Sequence, residues 1–219
     1  MTQPTACSAN VFTLKQHQEL SDPAPNVLVP DASPDAVLAT LYALVEAHHA
    51  LPYQGDAADA RAHLDGRMDA LRSADKIGAT ASAVDMEMLV RDALIPFQFG
   101  DAEGIVIAGP GVLLEPAAAR LLTFVLHELT CNAIKFGALS GGRDQRLRVH
   151  WEHTHAGVDV VWQERGVAVL GPAERPQSGF GRKLIEMALA SYCPNPPYFR
   201  LLPGGVECRI TIPEKALIY

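Results

Sequence analysis

The sequence predicts an α+β chain: an N-terminal helical hairpin, then a two-layer α/β sandwich with helices on a mostly antiparallel sheet. Three observations carry this. Apolar residues recur at helical spacing through 34–50 and again through about 56–77. The second half holds stretches such as "RLRVHWEH" and "VDVVWQE", whose side chains alternate in and out as in a strand. These strand segments are joined by short turns, "HAG" and "PGG", which suit antiparallel neighbours and a sheet segregated from its helices.

The elements follow in order. Residues 1–33 read as an extended tail, because Pro23, Pro25, Pro30 and Pro34 each disfavour helix in the residue before. Ser33 can cap a helix that opens at Pro34, and Val37, Leu38, Leu41, Leu44 and Val45 form its apolar stripe. "PYQGD" breaks the pattern. The second helix places Ala60, Leu64, Met68 and Leu71 on one side. A lone hairpin cannot bury both stripes, so it must pack on the rest of the chain or pair with a second copy. "AVDMEMLVRDALIPF" gives a third helix ending near Pro96, and "GIVIAGPGVLL" a strand, turn and strand. A long helix covers about 116–137, with Gly137 as its stop. Residues 165–178 are turn-rich and read as a loop; "GFGRKLIEMALASY" is a glycine-rich entry into a helix; "YFRLL" and "VECRITIP" close the sheet. The expected division is a tail over 1–33, a hairpin over 34–80 that serves dimerisation or phosphotransfer, and a catalytic-like domain over 81–219.

Composition narrows the class. With 219 residues, 48% of them apolar and 20% charged, the chain can bury a core and is not of the disordered type. A formal net charge of -7 argues against nucleic acid or an anionic membrane as partner. No apolar run reaches the length of a span, and "MTQPTACSANVF" lacks the pattern of a secretory signal, so a cytoplasmic location is expected. The four cysteines, Cys7, Cys131, Cys193 and Cys208, form no C-x-x-C pair and read as reduced thiols.

The chemistry concentrates at 127–140, "HELTCNAIKFGALS". Glu128 and Asn132 lie four apart on one helix face, and Lys135 follows a turn later on the same side. A carboxylate and an amide oxygen are hard donors of the kind Mg²⁺ prefers, and a lysine can meet phosphate oxygens. An exposed Glu/Asn pair is also common on an ordinary solvated face. Two further segments weigh against that plainer reading. In "WQERG" at 162–166, an acid at a strand end can accept a hydrogen bond from an exocyclic amine such as that of adenine. In "SGFGRKLIE" at 178–186, Gly179 and Gly181 let backbone N–H groups approach phosphate at a helix N-terminus.

Taken together, residues 60–213 resemble the HWE family of sensor histidine kinases, within the GHKL superfamily that shares a left-handed ATP-binding (Bergerat) fold. The resemblance rests on His127 in the "HELTCNAIKFGALS" box, on Trp162–Gln163–Glu164, and on "GFGRKLI", with weaker support from "ECRITIP" and "GRMDALRSADKI". It implies a histidine-kinase-like protein of two-component signalling that binds ATP and Mg²⁺. Asn132 would hold Mg²⁺, and Glu128, the catalytic residue, would orient or deprotonate the acceptor. His127 and Lys135 would line the phosphates and Glu164 would read adenine. Gly179 and Gly181 would bend the lid, with Trp162, Gly166 and Phe180 completing the ATP site. A response regulator or other signalling protein is the implied partner, and the hairpin offers a surface for a homodimer.

The sequence departs from that family at one point. A phosphoacceptor histidine is expected near Ala32, in "VPDASPDAV", and none is there. His17, His48, His49 and His63 sit elsewhere, and no phosphoacceptor is identified. The glycine turn after Glu164 has Gly166 but lacks a second glycine. The alternative is therefore a non-catalytic pseudokinase or adaptor that binds a signalling partner through its hairpin. A serine/threonine kinase of the anti-sigma-factor type fits the 127–140 stretch less well. His150, His153 and His155 read as surface residues and not as a metal site, since strand alternation splits them between faces.

Overall fold

A computed structural model describes residues 33–49, 57–80, 82–95, 104–142, 144–167, 180–190, 192–193 and 195–219. The tail over 1–32 and the turn-rich stretch over 168–179 lie outside the described residues. The elements are α1 Pro34–His49, α2 Ala57–Thr80, β1 Val84–Asp85, α3 Met86–Leu94, β2 Ile105–Ala108, β3 Leu113–Leu114, α4 Pro116–Phe136, β4 Arg146–Thr154, β5 Gly157–Arg165, α5 Phe180–Ala190, β6 Tyr198–Leu202, β7 Gly205–Pro213 and β8 Leu217–Ile218. The expected α+β architecture is present.

The main sheet has five strands in the order β2-β4-β5-β7-β6. Three of its pairings are antiparallel, and β2 joins β4 in parallel. Alternation sorts its faces. Leu147, Val149 and Trp151 of β4, Val158, Val160 and Trp162 of β5, and Cys208, Ile210 and Ile212 of β7 are all buried. Arg146, Arg148 and Glu152 on β4 are exposed, and across the outer face Thr211 donates to Asp159 at 2.7 Å. One face therefore carries the helices and the other is polar, which is the two-layer arrangement. A second, small antiparallel sheet joins β1, β3 and β8.

Helix α4 is the centre of the helical layer. Leu121, Leu122, Phe124, Val125, Leu129 and Ala133, its apolar residues at helical spacing, are all buried. The hairpin shares that core. Val37, Leu38, Leu41 and Val45 of α1 and Leu64 and Leu71 of α2 belong to one apolar cluster with the α4 residues and with Leu184 and Ile185 of α5. The burial problem posed by two apolar stripes is thus met by the rest of the chain. Ser33 caps α1 as its position suggests, its Oγ accepting from Ala36 N at 3.3 Å. The two hairpin helices are also tied by Tyr42, whose hydroxyl donates to Asp75 Oδ2 at 2.7 Å; partial burial and this carboxylate push the phenol up to about 12. Arg120 of α4 pairs with Asp35 at the start of α1.

Gly137 does end α4, by a different means from the usual left-handed glycine stop. Its φ is -126°, an extended value that any residue adopts. Close approach is what requires glycine: a Cβ there would overlap Glu164 Oε2 and sit 2.8 Å from Ala133 Cα. The end of the long helix and the end of β5 are therefore in direct contact.

Candidate functional site: the polar stripe of α4

Along α4, burial falls from one end of the polar stripe to the other. Glu128 is fully buried, His127, Cys131 and Asn132 are half-buried, and Lys135 is exposed. The cover over the N-terminal end is α2. Its Arg67, only 5% exposed, donates from Nε to Glu128 Oε1 at 2.7 Å and from Nη2 to Glu128 Oε2 at 2.8 Å. This is a two-pronged, charge-assisted pair that satisfies both carboxylate oxygens. The preceding residue, Gly66, faces the His127 imidazole; a Cβ there would lie 3.4 Å from its Cε1. The third side is α5, where a Cβ on Gly181 would overlap Glu128 Oε2 and reach 3.2 Å from Arg67 Nη2. Three elements thus converge on one carboxylate.

Burial sets the ionisation here. It pulls the His127 pKa below its usual 6.5, Glu128 opposing and Arg67 assisting, so the ring is neutral near pH 7. Cys131 Sγ lies 3.5 Å from His127 Nε2, and desolvation pushes its thiol up to about 11. Cys193 and Cys208 are raised to about 12 for the same reason. These described cysteines are unpaired thiols of low nucleophilicity at neutral pH.

Glu164 meets the C-terminal end of α4, 4% exposed at the end of β5. Its Oε2 accepts from Ala138 N at 2.8 Å and its Oε1 from Trp162 Nε1 at 2.9 Å. Desolvation raises its pKa, while the two hydrogen bonds pull the other way. Trp162 is 1% exposed, so its part is to pack the core and aim Glu164. Gly166 has φ +72°, and a Cβ there would collide with Asp144 O, so the turn after Glu164 needs glycine. Gly181 and Phe180 open α5, while Gly179 lies outside the described residues. His150 and His153 fall on opposite faces of β4 and His155 in the turn beyond; no group of three His, Cys, Asp or Glu near enough to hold a metal occurs among the described residues.

The structure brings His127, Glu128 and Gly181 together and leaves Asn132 and Lys135 further along the same helix. Arg67 is the residue that sequence reasoning overlooked. Its signal was present: Leu64, Arg67, Leu71 and Ala74 follow the spacing of a buried stripe, and all four are buried. A charge inside such a stripe calls for a buried partner.

This architecture is that of a histidine kinase domain. The chain superposes on the histidine kinase domain of the Erythrobacter litoralis EL346 blue-light activated histidine kinase with a TM-score of 0.57 and 14% identity, covering 85% of this chain and 88% of that one. By sequence it is 31% identical over 155 residues to blue-light-activated histidine kinase 1 of Erythrobacter litoralis (strain HTCC2594), covering 68% of this chain and 42% of the relative. A blue-light-activated histidine kinase of Brucella ovis matches at 31% over 110 residues, 48% of this chain and 22% of the relative. By sequence the chain is similar to bacterial histidine kinases, and it has the fold of their kinase domain. It spans less than half the length of these curated relatives. No family model matches it. No helix among the described residues is long and apolar enough to cross a membrane.

Proposed function

We propose that the chain is a histidine-kinase-like protein of two-component signalling that binds ATP with Mg²⁺ and transfers phosphate or regulates its transfer. The observation that carries this is the α4 stripe itself: an acid, an amide and a cation at helical spacing on a histidine kinase fold, with Gly181 leaving no side chain between α5 and the acid. The donor set suits the ligand. Asn132 offers a hard oxygen for Mg²⁺, exposed Lys135 can reach phosphate oxygens, and Gly181 admits close backbone approach at a helix N-terminus. When bound, ATP supplies the phosphoryl group and Mg²⁺ neutralises its charge.

The chain's own residues then divide the work. Asn132 would hold the ion, and Lys135 and neutral His127 would line the phosphates. Glu164 would accept from the adenine amine through the lone pairs left beyond the bonds to Trp162 and Ala138; at 4% exposure, this requires the adenine to displace the packing over it. Glu128 orients the acceptor or takes its proton. The acceptor is on another protein or at another position, since the sequence has no histidine near Ala32, just before the hairpin. A response regulator or related signalling protein is the partner, and the work is done in the cytoplasm.

The adaptor reading is favoured by one observation: the Glu128 carboxylate is sealed against Arg67, as a retired acid would be. Two measurements separate these readings. Mg²⁺–ATP raises the melting temperature of the wild type, and Asn132→Ala abolishes the rise; no rise in either protein rejects nucleotide binding. Labelled ATP then transfers acid-labile phosphate to a partner from a kinase and nothing from an adaptor.

A further inference from the structure

We propose that α2 is a latch on the transfer end of the α4 stripe: Arg67 ties up the Glu128 carboxylate, and transfer requires that ion pair to open. The inference rests on the kinase reading above and deepens it by assigning the hairpin a direct hold on the site.

The geometry is specific. Arg67 spends two donors on the two oxygens of Glu128, at 2.7 and 2.8 Å, and leaves the carboxylate with no exposed surface. A base in that state can neither touch an acceptor nor receive its proton. The cover stops there. Asn132 is half-buried and Lys135 exposed, so the end of the stripe suited to metal and phosphate stays reachable while the end suited to transfer is shut. The closure is a fit of three elements. Gly66 puts α2 in contact with the His127 ring, and Gly181 brings α5 against the same ion pair, at a place where a Cβ would overlap Glu128 Oε2. Packing alone does not ask for charge at this place, since apolar residues of similar volume serve a core as well as a buried ion pair. The pair joins residues 61 positions apart in sequence, on the hairpin and on the site helix, so hairpin position is converted directly into availability of the acid.

The test compares wild type, Arg67→Lys and Arg67→Met as full-length chains. Methionine keeps the apolar stem without the cation, and lysine keeps the cation without the fork. Cys131 reports the latch without nucleotide, because it lies beside the His127 ring that α2 covers. The Arg67 charge lowers its thiol pKa, so losing that charge alone would slow labelling, and faster labelling reads exposure on opening. Alkylation is mapped residue by residue, with buried Cys208 of the sheet as the reference for global unfolding. Mg²⁺–ATP affinity is measured by calorimetry, and turnover as hydrolysis to ADP and inorganic phosphate, with water as the acceptor whose proton Glu128 takes. A latch predicts that Cys131 labels at least fivefold faster in Arg67→Met, with a smaller gain in Arg67→Lys, while Cys208 stays protected. It also predicts an ATP dissociation constant within about threefold of wild type and ADP release at least tenfold higher. Unchanged Cys131 labelling, or labelling of Cys131 and Cys208 together, overturns it, because Arg67 is then only a structural partner. Retained ATP binding with unchanged or lower ADP release also overturns it, and lower release would make Arg67 a positioning residue. Absence of ATP binding in all three proteins instead rejects the kinase reading, and the gate with it.

Discussion

A guanidinium and a carboxylate withdrawn from water together are tolerable, whereas either one alone is not. Breaking a buried pair from one side costs about 3–5 kcal/mol, most of it from the charge left behind. Arg67→Ala should therefore lower unfolding stability by roughly that amount in urea titration, and Arg67→Met combined with Glu128→Leu should recover most of the loss. His127 sets a pH dependence. Its folded pKa is depressed, so the folded state resists protonating it, and stability present above the usual 6.5 is lost as pH falls toward the folded value. The melting temperature should drop between about pH 7.5 and 5.5, and His127→Gln should flatten part of that drop; an identical slope in the variant would refute the assignment. At this scale the sequence was readable where chemistry depends on spacing within one helix. His127, Glu128, Asn132 and Lys135 sit on α4 as their numbering requires. It was silent on what faces them, since the Arg67–Glu128 meeting depends on how two helices 61 residues apart pack.

Elements tell the same story. The apolar stripes of α1 and α4 follow from period alone: Val37, Leu38, Leu41 and Val45 are buried as their spacing demands. The α2 stripe was read along Ala60, Leu64, Met68 and Leu71, while the buried line runs through Leu64, Arg67, Leu71 and Ala74, a rotation too small for apolar residues alone to reveal. The two-residue strands β1, β3 and β8 carry too little pattern to announce a separate sheet, and the parallel pairing of β2 with β4 joins segments that are not sequence neighbours. The junction of α4 with β5 makes its own prediction. Gly137→Ala pushes a methyl into the Glu164 carboxylate and should cost about 1–3 kcal/mol, the usual cost of overpacking. Because Glu164 moves with it, any ATP affinity should fall in the same variant while Asn132 is untouched.

At the level of the whole molecule, the hairpin and the sheet layer hold one apolar cluster in common. Leu41→Ala, remote from the sheet but fully buried, should cost about 2–5 kcal/mol and shift far-UV and tryptophan signals together. Trp151 and Trp162 report from the sheet, so separate transitions would mean the layers are uncoupled. The shared cluster also makes influence run both ways. A binding event at one end that favours a displaced α2 changes affinity at the other end by the same factor, as thermodynamic reciprocity demands. A partner that grips α1 and α2 more tightly once Arg67 has let go would sharpen the acid for its substrate. Equally, a substrate drawing Glu128 outward would tighten that partner's hold, so the hairpin becomes a readout of the site as well as its control.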